Sequence, residues 1–155
     1  MLSEAFELCE DGNYIKALKL YDSVIKNNPK NIYALIDKAV TLQNLGRLKQ
    51  AIRVYDKALN IAPDNIDALV NKGSALHTLE NFKEAIACYD SAIKIDKKCA
   101  MALAYKGLSL GEMGSLEDAI KHFKKALSIE HDYDLAIISK KLAEETLKKS
   151  KIKKL

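Results

Sequence analysis

Apolar residues in this chain recur at helical spacing in short runs separated by polar breaks. Between residues 32 and 45, Leu35, Ala39 and Leu42 fall on one face of a helix. Between residues 48 and 62, Leu48, Ala51, Ile52, Tyr55, Ala58 and Leu59 do the same. Gly46 stands between the runs, and glycine readily takes the left-handed conformation in which helices often end. Pro63 follows the second run as a stop. The pattern predicts two antiparallel helices joined by a tight turn.

The pair recurs along the chain. Tyr21, Tyr55, Tyr89 and Phe123 are 34 residues apart, and so are Ala17, Ala51, Ala85 and Ala119. Gly12, Gly46 and Gly114 share a phase whose remaining slot holds Glu80. Pro29 and Pro63 share another, continued by Lys97 and His131. Four columns at one period divide the chain into units 1–31, 32–65, 66–99 and 100–133, followed by a segment 134–155. Met1 falls at the fourth position of its unit, so the first helix there is expected to lack about one turn.

Local signals agree with this division. Asn31 and Asn65 stand as N-caps before the first helices of the second and third units, and Asn81 and Ser115 before the second helices of the third and fourth. Glu84 lies three residues beyond Asn81, at capping-box spacing. Small residues fill one column at Ala39, Gly73 and Gly107 and another at Ala51, Ala85 and Ala119, where close helix crossings need them. The aromatic column fills the volume beside each crossing. In the segment 134–155, Leu135, Ile138, Leu142 and Leu147 share one face, which predicts a capping helix with a lysine-rich outer side and a frayed basic end.

These residues resemble the tetratricopeptide repeat family. Its pattern runs from a large apolar residue through leucine and a small residue to Gly–x–Tyr–x–x–Ala, an aromatic, a further alanine and proline. The second unit matches with Leu35, Ala39, Gly46, Leu48, Ala51, Tyr55, Ala58 and Pro63, and the resemblance covers residues 1–133. Departures are Glu80 for glycine, the missing prolines of the last two units, and Lys38, Lys72 and Lys106 in the usual leucine slot. The departures predict looser turns in the third and fourth units. The resemblance implies an all-α fold, an α-solenoid whose helix pairs stack as a right-handed superhelix. First helices would line the concave face, second helices would lie outside, and 134–155 would cap the end.

Carried over by column, the resemblance places a ligand-facing set on the first helices. It comprises Phe6, Cys9 and Glu10; Tyr33, Ile36, Asp37, Val40, Gln43 and Asn44; Asp67, Val70, Asn71, Ser74, His77 and Thr78; and Met101, Ala104, Tyr105, Leu108, Gly111 and Glu112. This set lacks basic residues. One branch of the family holds the acidic carboxyl-terminal tails of heat-shock chaperones with cations, which pair the ligand's carboxylates. The matching slots here hold Leu2, Asp67 and Asn71, or Ile36, Met101 and Tyr105, so that ligand is not expected. The same lack argues against phosphate-dominated nucleic-acid binding along the groove. Phe6, Tyr33, Ile36, Val40, Val70, Met101, Tyr105 and Leu108 would instead form an apolar stripe suited to an amphipathic helix or extended peptide of a partner. Asp37, Asn71 and Ser74 could hydrogen-bond its backbone.

Composition narrows the remaining classes. Of 155 residues, 48% are hydrophobic and 30% charged, as in a folded chain. Residues 140–155 hold seven lysines against Glu144 and Glu145, a net +5 within a total of +4, so the basicity sits in the tail. Attachment to RNA or membrane through that tail is one alternative function, and self-assembly through the apolar groove or cap is another. The acidic start MLSEAFELCEDGN is no signal peptide, and no apolar run approaches the length of a membrane span, which predicts a cytoplasmic protein. Cys9, Cys88 and Cys99 are odd in number and without metal-ligand spacing, so they read as reduced thiols. His77, His122 and His131 map to different surfaces, and neither a nucleophile motif nor a phosphate loop occurs. The expectation is a binding protein without catalysis, cofactor or metal.

Overall fold

A computed structural model describes residues 1–152; Lys153, Lys154 and Leu155, the end of the predicted capping segment and its basic tail, lie outside the described residues. Among the described residues all regular structure is helical: α1 (Leu2–Glu10), α2 (Tyr14–Asn27), α3 (Ile32–Asn44), α4 (Leu48–Ile61), α5 (Ile66–Thr78), α6 (Phe82–Ile95), α7 (Ala100–Glu112), α8 (Leu116–Ile129) and α9 (Asp134–Ile152). The starts of α2, α4, α6 and α8 are 34 residues apart, and so are those of α3, α5, α7 and α9. α1 has 9 residues where α3, α5 and α7 have 13.

The chain divides into two compact bodies, Met1–Leu79 and Glu80–Leu155. In the first, α1 packs on α2 and α3, α2 on α3, α3 on α4 and α5, and α4 on α5. In the second, α6 packs on α7, α7 on α8 and α9, and α8 on α9. Each body is thus a succession of neighbouring helices, every one burying a stripe against the next.

The turns between first and second helices follow from backbone hydrogen bonding. The Gly46 amide bonds to Gln43 O at 2.9 Å and the Arg47 amide to Leu42 O at 2.8 Å, with Gly46 at φ +72°. This doubly bonded closure satisfies carbonyls that the helix end would otherwise leave open. Glu80 adopts the same left-handed region at φ +61°, so the glycine-less turn keeps the backbone of the others and bears the strain. The proline-less turns keep their bonds too. The Cys99 amide reaches Asp96 O at 3.1 Å and the Tyr133 amide reaches Glu130 O at 3.4 Å, matching Asn65 to Ala62 at 3.2 Å in a proline turn. The expected loosening is not seen in these bonds beyond the longer last one.

Asn31 and Asn65 are true side-chain caps, accepting from the amides of Ala34 at 3.0 Å and Ala68 at 2.8 Å. Asn81 and Ser115 occupy the N-cap positions of α6 and α8 but make no side-chain cap bond, and the capping-box expectation fails there. The reason lies in the turn. The Ser115 amide bonds back to Leu110 O at 2.9 Å, and Asn81 and Ser115 sit at ψ 59° and 62°, outside the extended conformation that aims a capping side chain.

The core is built from the small and aromatic columns. Ala17, Ala51, Ala85 and Ala119 are fully buried, and Tyr21, Tyr55, Tyr89 and Phe123 nearly so. Gly107 lies directly against the Phe123 ring: a Cβ there would meet its Cε1 at 2.7 Å. The lysines in the leucine slot have partners at the same period. Lys38 pairs with Asp22 at 2.5 Å, Lys72 with Asp56 at 2.6 Å and Lys106 with Asp90 at 2.5 Å, each linking a second helix to the first helix after it. At the α8–α9 step the corresponding positions hold Lys124 and Lys140, two like charges.

α9 buries a different line from the one expected. Ala136 and Ala143 are buried, with Leu135 and Leu147 packed against the same cluster. Ile138 and Leu142 stay outside the buried line and are 66% and 63% exposed.

Candidate functional site

In the N-terminal body the predicted first-helix residues separate into core and surface. Ile36 and Val70 are buried, so two members of the expected exposed stripe are packing residues. Ile36 belongs to the cluster around Leu35, Tyr55 and Ala68. Val40 is half-buried against that cluster, whereas Phe6 and Tyr33 stand exposed. Several of the remaining positions are polar and hydrogen-bonded within the chain. Gln43 accepts from the Tyr55 hydroxyl at 3.1 Å and donates to Ser74 Oγ at 3.3 Å. Cys9 Sγ lies 3.3 Å from Thr41 Oγ1, and Thr41 donates to Asp37 O at 2.7 Å. Asn71 donates to Asp67 O on its own helix at 2.9 Å, and His77 is half-buried. A pocket of about 240 Å³ is lined by Phe6, Cys9, Glu10, Asp37, Val40 and Asn44, among others. Burial pushes the Asp37 carboxyl above its ordinary range, because the low-dielectric surroundings disfavour its charge.

The C-terminal body presents a more apolar face. Met101 is exposed, Leu108 half-buried, and Ala104 fully buried and unavailable to a ligand. Tyr105 stacks at a tilt on Tyr89, with ring centroids 6.0 Å apart, so its ring is largely committed to packing. Between α7, α8 and α9 lies a slot of about 220 Å³. It is lined by Gly107, Gly111 and Phe123, by the apolar Leu108, Leu116, Leu142 and Ala143, and by the polar Glu112, Ser139 and Thr146. Its origin is a paired change in two columns. Tyr55 and Gln43 fill the equivalent space with a hydroxyl–amide bond. At the corresponding positions Phe123 lacks the hydroxyl and Gly111 lacks a side chain, so the volume stays open. Both substitutions are visible in the sequence. The slot was missed there because its third wall comes from α9, whose rotation the apolar pattern misassigns.

Two family profiles match the chain. One, described as the N-terminal TPR repeats region of Psidin, matches residues 2–100, and the other, described as tetratricopeptide repeat, matches residues 70–134. The chain is a member of the tetratricopeptide repeat family. Solved tetratricopeptide structures agree with this all-α solenoid fold. A crystal structure of MamA protein superposes with a TM-score of 0.82 at 26% identity, covering 93% of this chain and 79% of that one. A tetratricopeptide repeat protein from Parabacteroides merdae gives 0.80 at 20% identity, covering 92% and 57%. The first TPR of Spaghetti, bound to the HSP90 peptide SRMEEVD, gives 0.72 at 22% identity, covering 75% and 92%. No curated protein sequence matches the chain.

For this tetratricopeptide repeat chain the remaining chemistry-bearing groups are scattered. His122 on α8 bonds Asp118 O through Nδ1 at 2.8 Å, and burial lowers its pKa. His77 is on α5, and His131 lies in the turn after α8. Among the described residues no three His, Cys, Asp or Glu side chains are grouped to hold a metal ion, and no helix is long and apolar enough to cross a membrane.

Proposed function

We propose that the chain is a protein-interaction scaffold that holds a peptide or amphipathic helix of a partner on the exposed faces of its first helices. The apolar slot between α7, α8 and α9, bordered by the exposed Leu142 with Ile138 on the same helix, is the observation that carries this reading. An aliphatic or aromatic side chain entering it leaves water, a gain of about 1.5–3 kcal/mol for a fully buried residue. One such anchor with a polar rim is the usual energetic plan of a helix or peptide groove. Tetratricopeptide repeats generally serve as scaffolds, and the Spaghetti domain carries a peptide. That peptide is acidic, and the ligand-facing first-helix positions hold no lysine or arginine for it, so an apolar anchor is the better fit.

A photo-crosslinker placed at position 142 tests this. It should capture a partner in native extract, and the captured segment, made as a synthetic peptide, should bind the unmodified chain and lose about tenfold affinity on Leu142→Asp, the equivalent of roughly 1.4 kcal/mol. A captured peptide that binds both forms equally would remove the assignment. The exposed Ile138 and Leu142 also fit a second copy of the chain. Light scattering separates the readings: a dilution-resistant dimer that Leu142→Asp converts to monomer assigns the face to self-assembly instead.

A further inference from the structure

The second helices of the C-terminal body carry a feature that the first-helix reading leaves unused. Where α6, α7 and α8 meet, a cleft of about 630 Å³ opens. Lys94 on α6, Lys97 and Lys98 in the turn after it, and Lys125 on α8 line it, and all four are exposed. Its only lining carboxylate, Asp90, is held by Lys106 at 2.5 Å, so its charge is already answered. Nearby Asp96 accepts the backbone amide of Lys98 at 2.9 Å and shapes the turn. Among the described residues none of the four lysines forms an ion pair. The rest of the lining is Ile93, Leu103 and Ile129, with Ser128 beside them.

The doubled lysine is particular to this turn. The equivalent positions are Pro29–Lys30, Pro63–Asp64 and His131–Asp132 in the other units. Cations grouped over a low-dielectric floor focus their field on the space between them. A ligand that suits the cleft offers several carboxylates together with aliphatic side chains. A single-stranded nucleic acid offers the charge, but its bases want aromatic platforms, and no aromatic residue lines the cleft.

We infer that this cleft binds an acidic, leucine- or isoleucine-bearing segment of a partner protein, independently of the first-helix face. The test uses the full chain and a fluorescent peptide of alternating glutamate and leucine pairs. It should bind with an affinity that falls as salt rises. Lys97→Glu with Lys98→Glu should weaken it at least about tenfold. Lys148→Glu with Lys149→Glu on α9 changes the net charge equally and should weaken it less than about twofold. A glutamate–serine peptide of the same charge should bind clearly more weakly. Circular dichroism of both variants confirms that the helices persist, since all four positions are exposed. Equal weakening by the two double variants, equal affinity for the serine peptide, or failure of the leucine peptide to bind would each overturn the inference. Tighter binding of single-stranded RNA or acidic vesicles, with the same dependence on Lys97 and Lys98, would overturn it in favour of that ligand.

Discussion

A methyl group at position 107 separates two opposing effects. Gly→Ala inside a helix ordinarily gains up to about 1 kcal/mol from propensity. Here the added carbon would lie 2.7 Å from a ring that is itself buried to 2% exposure, and such overpacking costs about 1–3 kcal/mol. Gly107→Ala should therefore lower unfolding stability by about 1–2 kcal/mol in urea titration, sterics winning over propensity. An unchanged midpoint would mean that Phe123 gives way. At Glu80 the balance runs the other way. A side-chain-bearing residue at φ +61° is strained, and Glu80→Gly should raise stability by roughly 0.5–1 kcal/mol after glycine's greater unfolded entropy is counted. Asp37 gives a pH signature. Burial raises its folded pKa, so the folded state holds the proton more tightly than the unfolded state. Its contribution is most favourable below the ordinary carboxylate range and is lost as pH rises through the raised folded value. Asp37→Asn should raise the melting temperature at neutral pH, and the gain should vanish in acid. A gain that is the same at all pH values would assign the effect to something other than the charge.

At the scale of helices, caps and turns make competing demands on the same residues. Asn31→Ala and Asn65→Ala should each cost about 1 kcal/mol, the usual value of a side-chain cap. Asn81→Ala and Ser115→Ala should cost clearly less, because neither side chain caps its helix. Comparing the four denaturation midpoints checks this, and equal losses would contradict the turn geometry. The 34-residue columns made the helices legible, because core volume must be refilled identically at each crossing. The caps were only half legible, since Asn and Ser advertise a cap whether or not the preceding turn leaves the backbone free to use it. The Asp22–Lys38 ladder was legible only as an anomaly, lysines in a leucine slot. Its partners stand one residue after the tyrosines, and the relation appears once helices from successive units are set side by side. Such half-exposed pairs are worth about 0–1 kcal/mol each, and their larger effect is to commit the cations of the first helices. For the candidate site, column carry-over found Phe6, Tyr33 and Met101 exposed and Leu108 half-buried, but placed Ile36 and Val70 on the surface, when neighbouring helices bury them. Periodicity records which residues share a face and not which neighbour covers it.

At the scale of the molecule, cations are sorted between the two kinds of helix. Lys38, Lys72 and Lys106 are the only lysines or arginines of α1, α3, α5 and α7, and all three are bound to acids of the second helices. The charges of those first helices that form no ion pair among the described residues are Glu4, Glu7, Glu10, Asp37, Asp67 and Glu112, all negative. The lysine cleft of the C-terminal body is lined from the other side of this division, and it shares no lining residue with the apolar slot. The two surfaces should therefore be separable by substitution. Leu142→Asp places a negative charge beside the slot, which desolvation makes costly to any apolar ligand seated there. It leaves the exposed lysines and the Leu103 floor of the cleft untouched. The glutamate–leucine peptide should bind Leu142→Asp and the unmodified chain within about a factor of two, well under the tenfold that 1.4 kcal/mol represents. Conversely, Lys97→Glu with Lys98→Glu should leave crosslinking from the slot unchanged. If either substitution abolished both interactions while the helices remained intact, the two surfaces would be one site, and the chain would hold a single ligand that reaches both.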